Sequence, residues 1–398
     1  MEQKTKSGFS LYINSSENVK HAVRVQRRKM KYRKALLIAL VIVWIFGLFA
    51  YRYRTYRTMT IEKILTKDMA NSAGSFAYKS GTICYSEDGM SFLDKDGNEE
   101  WNRTYSIKNP LVSYRGNYLA VASKSGNDVV LLTQSGQMKQ FNVSYPIIDI
   151  EVASQGVVAL LLQGEDGNYI ELYEGGRKKL VSIKTAPDDN GYPIDIALSS
   201  DGQNLAVSYL IVDGVKTKSR VAFYNFGNEG KEKDDQMIGS FDFNDTIIPK
   251  VSYMGDSRLC AIGDHHVIMF KAGRNPSKKR EVTLDKIVKS VAVSDRYMVL
   301  VLEDKEKLTK KGQYEMEVYN RSGNKIMSKK FSSEYNKIAI GKREVLFIGN
   351  YHYAIFNFAG HRMFRKNFKR RVLDIAPTGK ARKYLISYED EMDLISLR

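Results

Sequence analysis

Residues 191–210 read GYPIDIALSSDGQNLAVSYL. Two runs with alternating apolar side chains, IDIAL and NLAVSYL, flank a Ser-Ser-Asp-Gly turn. Alternation with period two marks a strand, and Asp-Gly between two such runs marks a tight hairpin. The same unit recurs along the chain. It reads SFAYKSGTICYS at 75–86, PLVSYRGNYLAVAS at 110–123 and DIEVASQGVVALLL at 149–162. It returns as KVSYMGDSRLCAIG at 250–263, SVAVSDRYMVLVLE at 290–303, KIAIGKREVLFIG at 337–349 and DIAPTGKARKYLISY at 374–388. Counting the first stretch, that makes eight copies.

Each copy is followed by a strand, a Gly-bearing turn and another strand, as in MSFLDKDGNEEWNRTY (90–105) and MEVYNRSGNKIMSKKF (316–331). The eighth ends at MDLISLR (392–398) with no fourth strand. Four short strands per unit, repeated in a register of tens of residues, predict an all-β fold: a β-propeller of about eight four-stranded blades. The missing outer strand is expected from around 59–64, which would close the ring by pairing its ends. Seven blades is the alternative, if the first and last units share one. A β-sandwich pair or a β-helix fits less well, since β-helix repeats are shorter and more even.

Upstream lies a different kind of sequence. Residues 35–51, ALLIALVIVWIFGLFAY, hold no charge and no Pro. At about 1.5 Å per residue they nearly cover a hydrocarbon core of about 30 Å. Tyr32-Arg33-Lys34 before them and Tyr51-Arg52-Tyr53-Arg54 after them supply interfacial anchors. Residues 20–34 carry eight basic side chains, whereas the far flank offers Arg52, Arg54, Arg57 and Lys63. The heavier cluster stays in the cytoplasm, so the expected topology is single-pass in the plasma membrane, N-terminus inside. A cleaved signal peptide is the rival reading. Against it, Leu48 stands two before Ala50 where a small residue is wanted. The expected organisation is a basic cytoplasmic tail (1–34), a transmembrane helix (35–51), a linker (52–72) and an extracytoplasmic propeller (73–398). The tail, too short and too polar to fold alone, is expected along the anionic inner leaflet.

Charge follows the same division. The 398 residues carry a net +17. Twelve basic and two acidic residues in 1–54 leave 50 and 43 for the rest. Basicity is thus mainly a membrane-surface feature, and nucleic acid is not an expected partner of an exported domain. Cys84 and Cys260 are the only cysteines. They fall in second strands four units apart, on opposite sides of a ring of eight. They are expected as free, buried thiols.

SSDGQNLAV and the strand–Gly-turn–strand halves resemble repeats of WD40-like and quinoprotein-like propellers. YRYRTYRT (51–58), GYPIDIALSSDGQNLAVSYL and VAFYNFGN (221–228) resemble more closely an uncharacterised bacterial family of single-pass membrane proteins with an outer propeller. That family is carried as a domain of unknown function. The resemblance covers roughly 50–398 and implies fold and placement. It implies no activity.

Motifs that carry chemistry are few. Asp94-Lys95-Asp96-Gly97-Asn98-Glu99-Glu100 begins like a calcium loop but sits where a hairpin turn belongs. His21, His265, His266, His352 and His361 show no metal spacing, and no metal or cofactor is expected. Trp101 stands in one unit only and reads as blade packing rather than as part of a cofactor platform. No Gly-x-Ser-x-Gly elbow or phosphate loop is present, and no enzyme activity is inferred. Arg362, Arg365, Lys366, Lys369, Arg370 and Arg371 put six cations within ten residues. They read either as a charged edge that blocks aggregation or as a patch for an anionic ligand.

The expected function is a binding or scaffolding module of the cell envelope, with a protein or anionic wall polymer as partner. The loops at 212–220, 228–237 and 304–313 are the expected contacts. An envelope hydrolase acting on glycan or peptide is one alternative, and it predicts carboxylates converging at one mouth of the channel. A sensor coupled to a cytoplasmic partner is the other.

Overall fold

The computed structural model describes residues 5–66, 72–188, 190–214, 216–233, 235–244, 246–303, 313–342 and 344–398. Two units follow one another, divided between Thr55 and Tyr56. The first holds one helix, Thr5–Arg52. Its stretch Arg24–Ala50 is long and apolar enough to cross a membrane. The helix also takes in residues 20–34, which composition alone reads as unfolded. That segment has no Gly or Pro and is rich in Lys, Arg, Gln and Met, so it extends a helix the apolar segment already nucleates.

The second unit is an eight-bladed propeller of four-stranded antiparallel sheets. Blades 1–7 span 72–104, 110–142, 147–185, 192–243, 250–283, 287–332 and 337–367 in chain order. Blade 8 takes its three inner strands from 374–397 and its outer strand from Met59–Thr66. Met59 pairs with Leu397 and Thr66 with Glu391, so the ring closes by joining its two ends. The strand lies inside the stretch 52–72 that composition reads as linker. Beyond the strand, Arg57 N–H donates to the Arg398 carbonyl at 3.0 Å, and Arg398 N–H to the Thr58 carbonyl at 2.9 Å.

The core consists of layers between neighbouring blades, one for each of the eight junctions. The second strand of blade 2, Tyr118–Ser123, shows how sequence sets this. Leu119 and Val121 pack toward blade 1, and Ala120 and Ala122 toward blade 3. A strand buried on both faces needs apolar residues at every position, which is why VVLL and VVALLL read as unbroken runs. Outer strands are covered only in part and alternate.

The turn between third and outer strands is repeated too. Asp94, Asn320 and Asn357 each accept two backbone N–H bonds from the turn that follows, through one side-chain oxygen. Gly97, Gly323 and Gly360 sit three residues on with φ near +75°. L-side chains avoid that region, so Gly belongs there, and a bulge in the ladder precedes each turn. The calcium-like stretch 94–100 is one of these turns.

Expected contact loops resolve unevenly. Residues 212–214 and 216–220 belong to a long hairpin, Asn204–Asp213 with Lys216–Asn225. Residues 228–237 contain a short helical turn, Asn228–Lys231. Residues 304–312 lie outside the described residues.

Candidate functional site

The inner strands surround a cavity of about 690 Å³ on the ring axis, within the size range of ligand sites. Seven blades line it, with Ser75, Ser113, Glu151, Ser252, Ser294 and Lys337 among the polar groups. Arg115, at the end of the inner strand of blade 2, reaches Asp295 in the first turn of blade 6 at 2.9 Å. Blades 2 and 6 are opposite in a ring of eight, so this ion pair spans the channel.

Three aspartates organise the wall. Asp149, Asp195 and Asp374 each precede an Ile in the inner strand of blades 3, 4 and 8. Each accepts a backbone N–H from the inner strand of the next blade. Asp195 takes Val251 at 2.7 Å, Asp374 takes Ser75 at 2.8 Å, and Asp149 takes Ile196 at a longer 3.5 Å. Bulges just before Asp149 and Asp195 turn these side chains toward the neighbour. Two lysines complete the arrangement. Lys250 donates to Asp195 at 2.7 Å, and Lys337 to Asp374 at 2.6 Å.

Three carboxylates cluster on one side of the ring. Asp149, Glu151 and Asp195 all feel the Lys250 ammonium, with Lys124 acting also on Asp149 and Arg115 on Glu151. Burial pushes the Glu151 carboxyl up to about 7, with Lys250 opposing and Asp149 adding to the rise. Burial likewise pushes Asp195 up to about 7 against the pull of Lys250. Asp149 is raised mainly by burial. Burial pulls Lys250 down, but the carboxylates of Asp195, Asp149 and Glu151 outweigh it and hold its ammonium above the ordinary lysine range. Glu151 also accepts the Ser113 hydroxyl at 3.0 Å. Of these three carboxylates Glu151 lines the cavity, while Asp149 and Asp195 are tied into bonds between blades.

The six clustered cations divide. Arg362, Arg365 and Lys366 lie exposed on the outer strand of blade 7, Arg362–Asn367. Lys369, Arg370 and Arg371 lie in the connection to blade 8. Arg370 stacks on Tyr388 at 4.2 Å and pairs with Glu391 at 2.5 Å. Arg371 lies 3.9 Å from Glu389. Among the described residues Arg362, Arg365, Lys366 and Lys369 form no ion pair.

Trp101 packs between blades: its indole N–H donates to the Gln134 carbonyl of blade 2 at 2.9 Å. Cys84 and Cys260 are free and buried, in blades 1 and 5. Among the described residues no group of three or more His, Cys, Asp or Glu is placed to hold a metal.

Solved structures that share the fold include two propellers. The crystal structure of BamB from Moraxella catarrhalis is 10% identical with a TM-score of 0.52, covering 85% of this chain and 100% of that one. The C-terminal WD40 domain of Sif2 is 10% identical with a TM-score of 0.59, covering 86% and 99%. Identity at this level shows fold alone. No curated protein matches the sequence. A family model described as "Family of unknown function (DUF5711)" matches residues 52–397. With nearly all of the propeller inside that match, the chain belongs to DUF5711, a family of unknown function.

Proposed function

We propose that this protein is a membrane-anchored binding module of the cell envelope, with its N-terminus in the cytoplasm and its propeller outside the plasma membrane. The observation that carries the reading is the junction. Three residues, Tyr53, Arg54 and Thr55, lie between the end of the helix at Arg52 and the propeller unit that begins at Tyr56. An apolar helix followed directly by a propeller fits an anchor and a binding domain whose loops can meet a partner. The basic residues 20–34 support the orientation.

A protein partner is supported by exposed apolar side chains at one end of blade 4. Tyr192 and Val212 are each about half exposed, and strand pairing places them at the same end of that sheet. Apolar side chains gathered at a loop end are a common form of docking surface. The test is photo-crosslinking in intact cells from position 212, with position 139 on the rim of blade 2 as control. A protein captured from 212 alone, and lost on Tyr192→Asp, supports the reading. Equal capture from both positions, or none, contradicts it.

We read the channel carboxylates as structural, since Asp149, Asp195 and Asp374 bond neighbouring blades. One observation favours the hydrolase reading: Glu151 faces the cavity with its carboxyl poised near neutrality. Loss of glycan or peptide turnover in a Glu151→Gln strain with normal protein levels would favour that second reading.

A further inference from the structure

The outer strands of the eight blades are not alike in charge. Those of blades 5, 6 and 7 carry nine cations against one acid, Glu281. The other five carry six cations against four acids. All nine cations on blades 5–7 are exposed. Two of them are neutralised: Lys278 by Glu281 and Lys325 by Glu317, each at 2.7 Å. Seven make no ion pair among the described residues. They are Lys279 and Arg280 on blade 5, Lys329 and Lys330 on blade 6, and Arg362, Arg365 and Lys366 on blade 7.

These blades form one surface. Arg280 reaches across to the Asn324 side chain in the last turn of blade 6. The last turn of blade 7, at Gly360, lies against Met327 and Lys329 of blade 6. The cations therefore form a continuous belt on a convex rim.

We infer that this belt, which includes the Arg362–Lys366 half of the basic run, is a docking track for a flexible, linear envelope polymer carrying repeated anionic groups. The inference rests on display of the propeller outside the membrane, as proposed above. Geometry selects the occupant. Three of eight blades subtend about 135° of the ring. A flat anionic bilayer touches a convex rim along about one blade, and a globular acidic protein does little better. A flexible chain can follow the curve and engage all three blades. Single-stranded nucleic acid is disfavoured because the described residues of these outer strands offer no row of exposed aromatics. Their two aromatics are Phe331, half-buried against Tyr314 and Tyr335, and Phe364, buried, whereas binders of single strands stack successive bases on exposed rings. Attraction between many weakly held charges releases counterions, so binding should fall steeply with salt.

The experiment uses the full chain in detergent and a poly(glycerol phosphate) of defined length as probe. The belt variant is Lys329→Gln, Lys330→Gln, Arg365→Gln and Lys366→Gln together. The control removes charge from the opposite rim by Lys139→Gln, Lys178→Gln and Lys184→Gln. With seven contacts and the single-strand coefficient, a fourfold rise in salt should weaken wild-type binding about 10³-fold. With three contacts left, the same rise should weaken the belt variant only about 20-fold. The control should behave as wild type. Near-UV circular dichroism confirms that each variant is folded.

No binding by the wild type, or equal loss in the belt and control variants, overturns the inference. Tighter binding to anionic phospholipid vesicles or to single-stranded DNA than to the polymer overturns it as well. Capture of a protein partner from position 212 separates the two proposals. If capture persists while polymer binding fails, only the belt is wrong; if surface display fails, both are.

Discussion

Glu151→Gln isolates the cost of ionising a carboxyl in the channel wall. The carboxyl has an ordinary value of 4.5 and is pushed up to about 7 in the fold, chiefly by burial. Between those values the folded state binds more protons at this site than the unfolded state. Stability then falls as pH rises through the window, by up to about 1.4 kcal/mol per pH unit. Across the window this reaches about 3 kcal/mol, nearly all of it lost by about pH 8. Gln fills the same space, keeps an acceptor for the Ser113 hydroxyl and cannot ionise. The variant is therefore expected to exceed wild type by about 2–3 kcal/mol near pH 8 and to match it within about 1 kcal/mol near pH 5. For a unit of this size that is about 4 °C in Tm near pH 8. Urea unfolding at both pH values, followed by near-UV circular dichroism, measures it. Parallel pH profiles for variant and wild type would refute the claim that burial in the channel wall raises the Glu151 carboxyl.

Three further outcomes follow from named contacts. Asp374→Ala strips the acceptor from Ser75 N–H and leaves Lys337 without its buried partner at the seam of blades 8 and 1. Urea titration should show a loss of about 1–3 kcal/mol, since Lys337 is half exposed and can be solvated, and a loss under about 0.5 kcal/mol would count against the latch. Gly136→Ala forces a side chain into φ +76° and sets its Cβ 2.8 Å from the Trp101 ring. The expected cost is about 2 kcal/mol or more with blue-shifted or broadened tryptophan emission, whereas a neutral result would mean the ring is not held there. Burial pushes the Cys260 thiol up to about 12, so it should resist thiol reagents at neutral pH until the protein unfolds. Rapid labelling of the native protein would contradict its burial.

The repeat was legible because each blade uses the same local devices. Middle strands buried on two faces give unbroken apolar runs such as VVALLL, and the turn at Gly323 needs Gly for its left-handed φ. Even the closing strand near 59–64 could be inferred, since a four-stranded repeat that ends one strand short must borrow one. The channel was not legible. Asp149, Asp195 and Asp374 recur in the same Asp-Ile pair, a visible signal, but their meaning lies in a backbone N–H of the next blade. Glu151 and Lys250 lie about a hundred residues apart, and only the ring brings them under one field. The basic run at 362–371 was visible as a run, yet folding divides it. Arg370 and Arg371 turn to acids of blade 8, and Arg365 and Lys366 join cations from blades 5 and 6 that no local window connects.

The most direct test of the central claim is a topology measurement on intact cells. The chain would carry one epitope before Met1 and a second, behind a protease site, after Arg398. External protease should remove the C-terminal epitope and leave the N-terminal one protected on a membrane-bound protein of full length. Protection of both epitopes, or a mature protein lacking the N-terminal epitope, would contradict a propeller displayed outside the cell on an uncleaved helix.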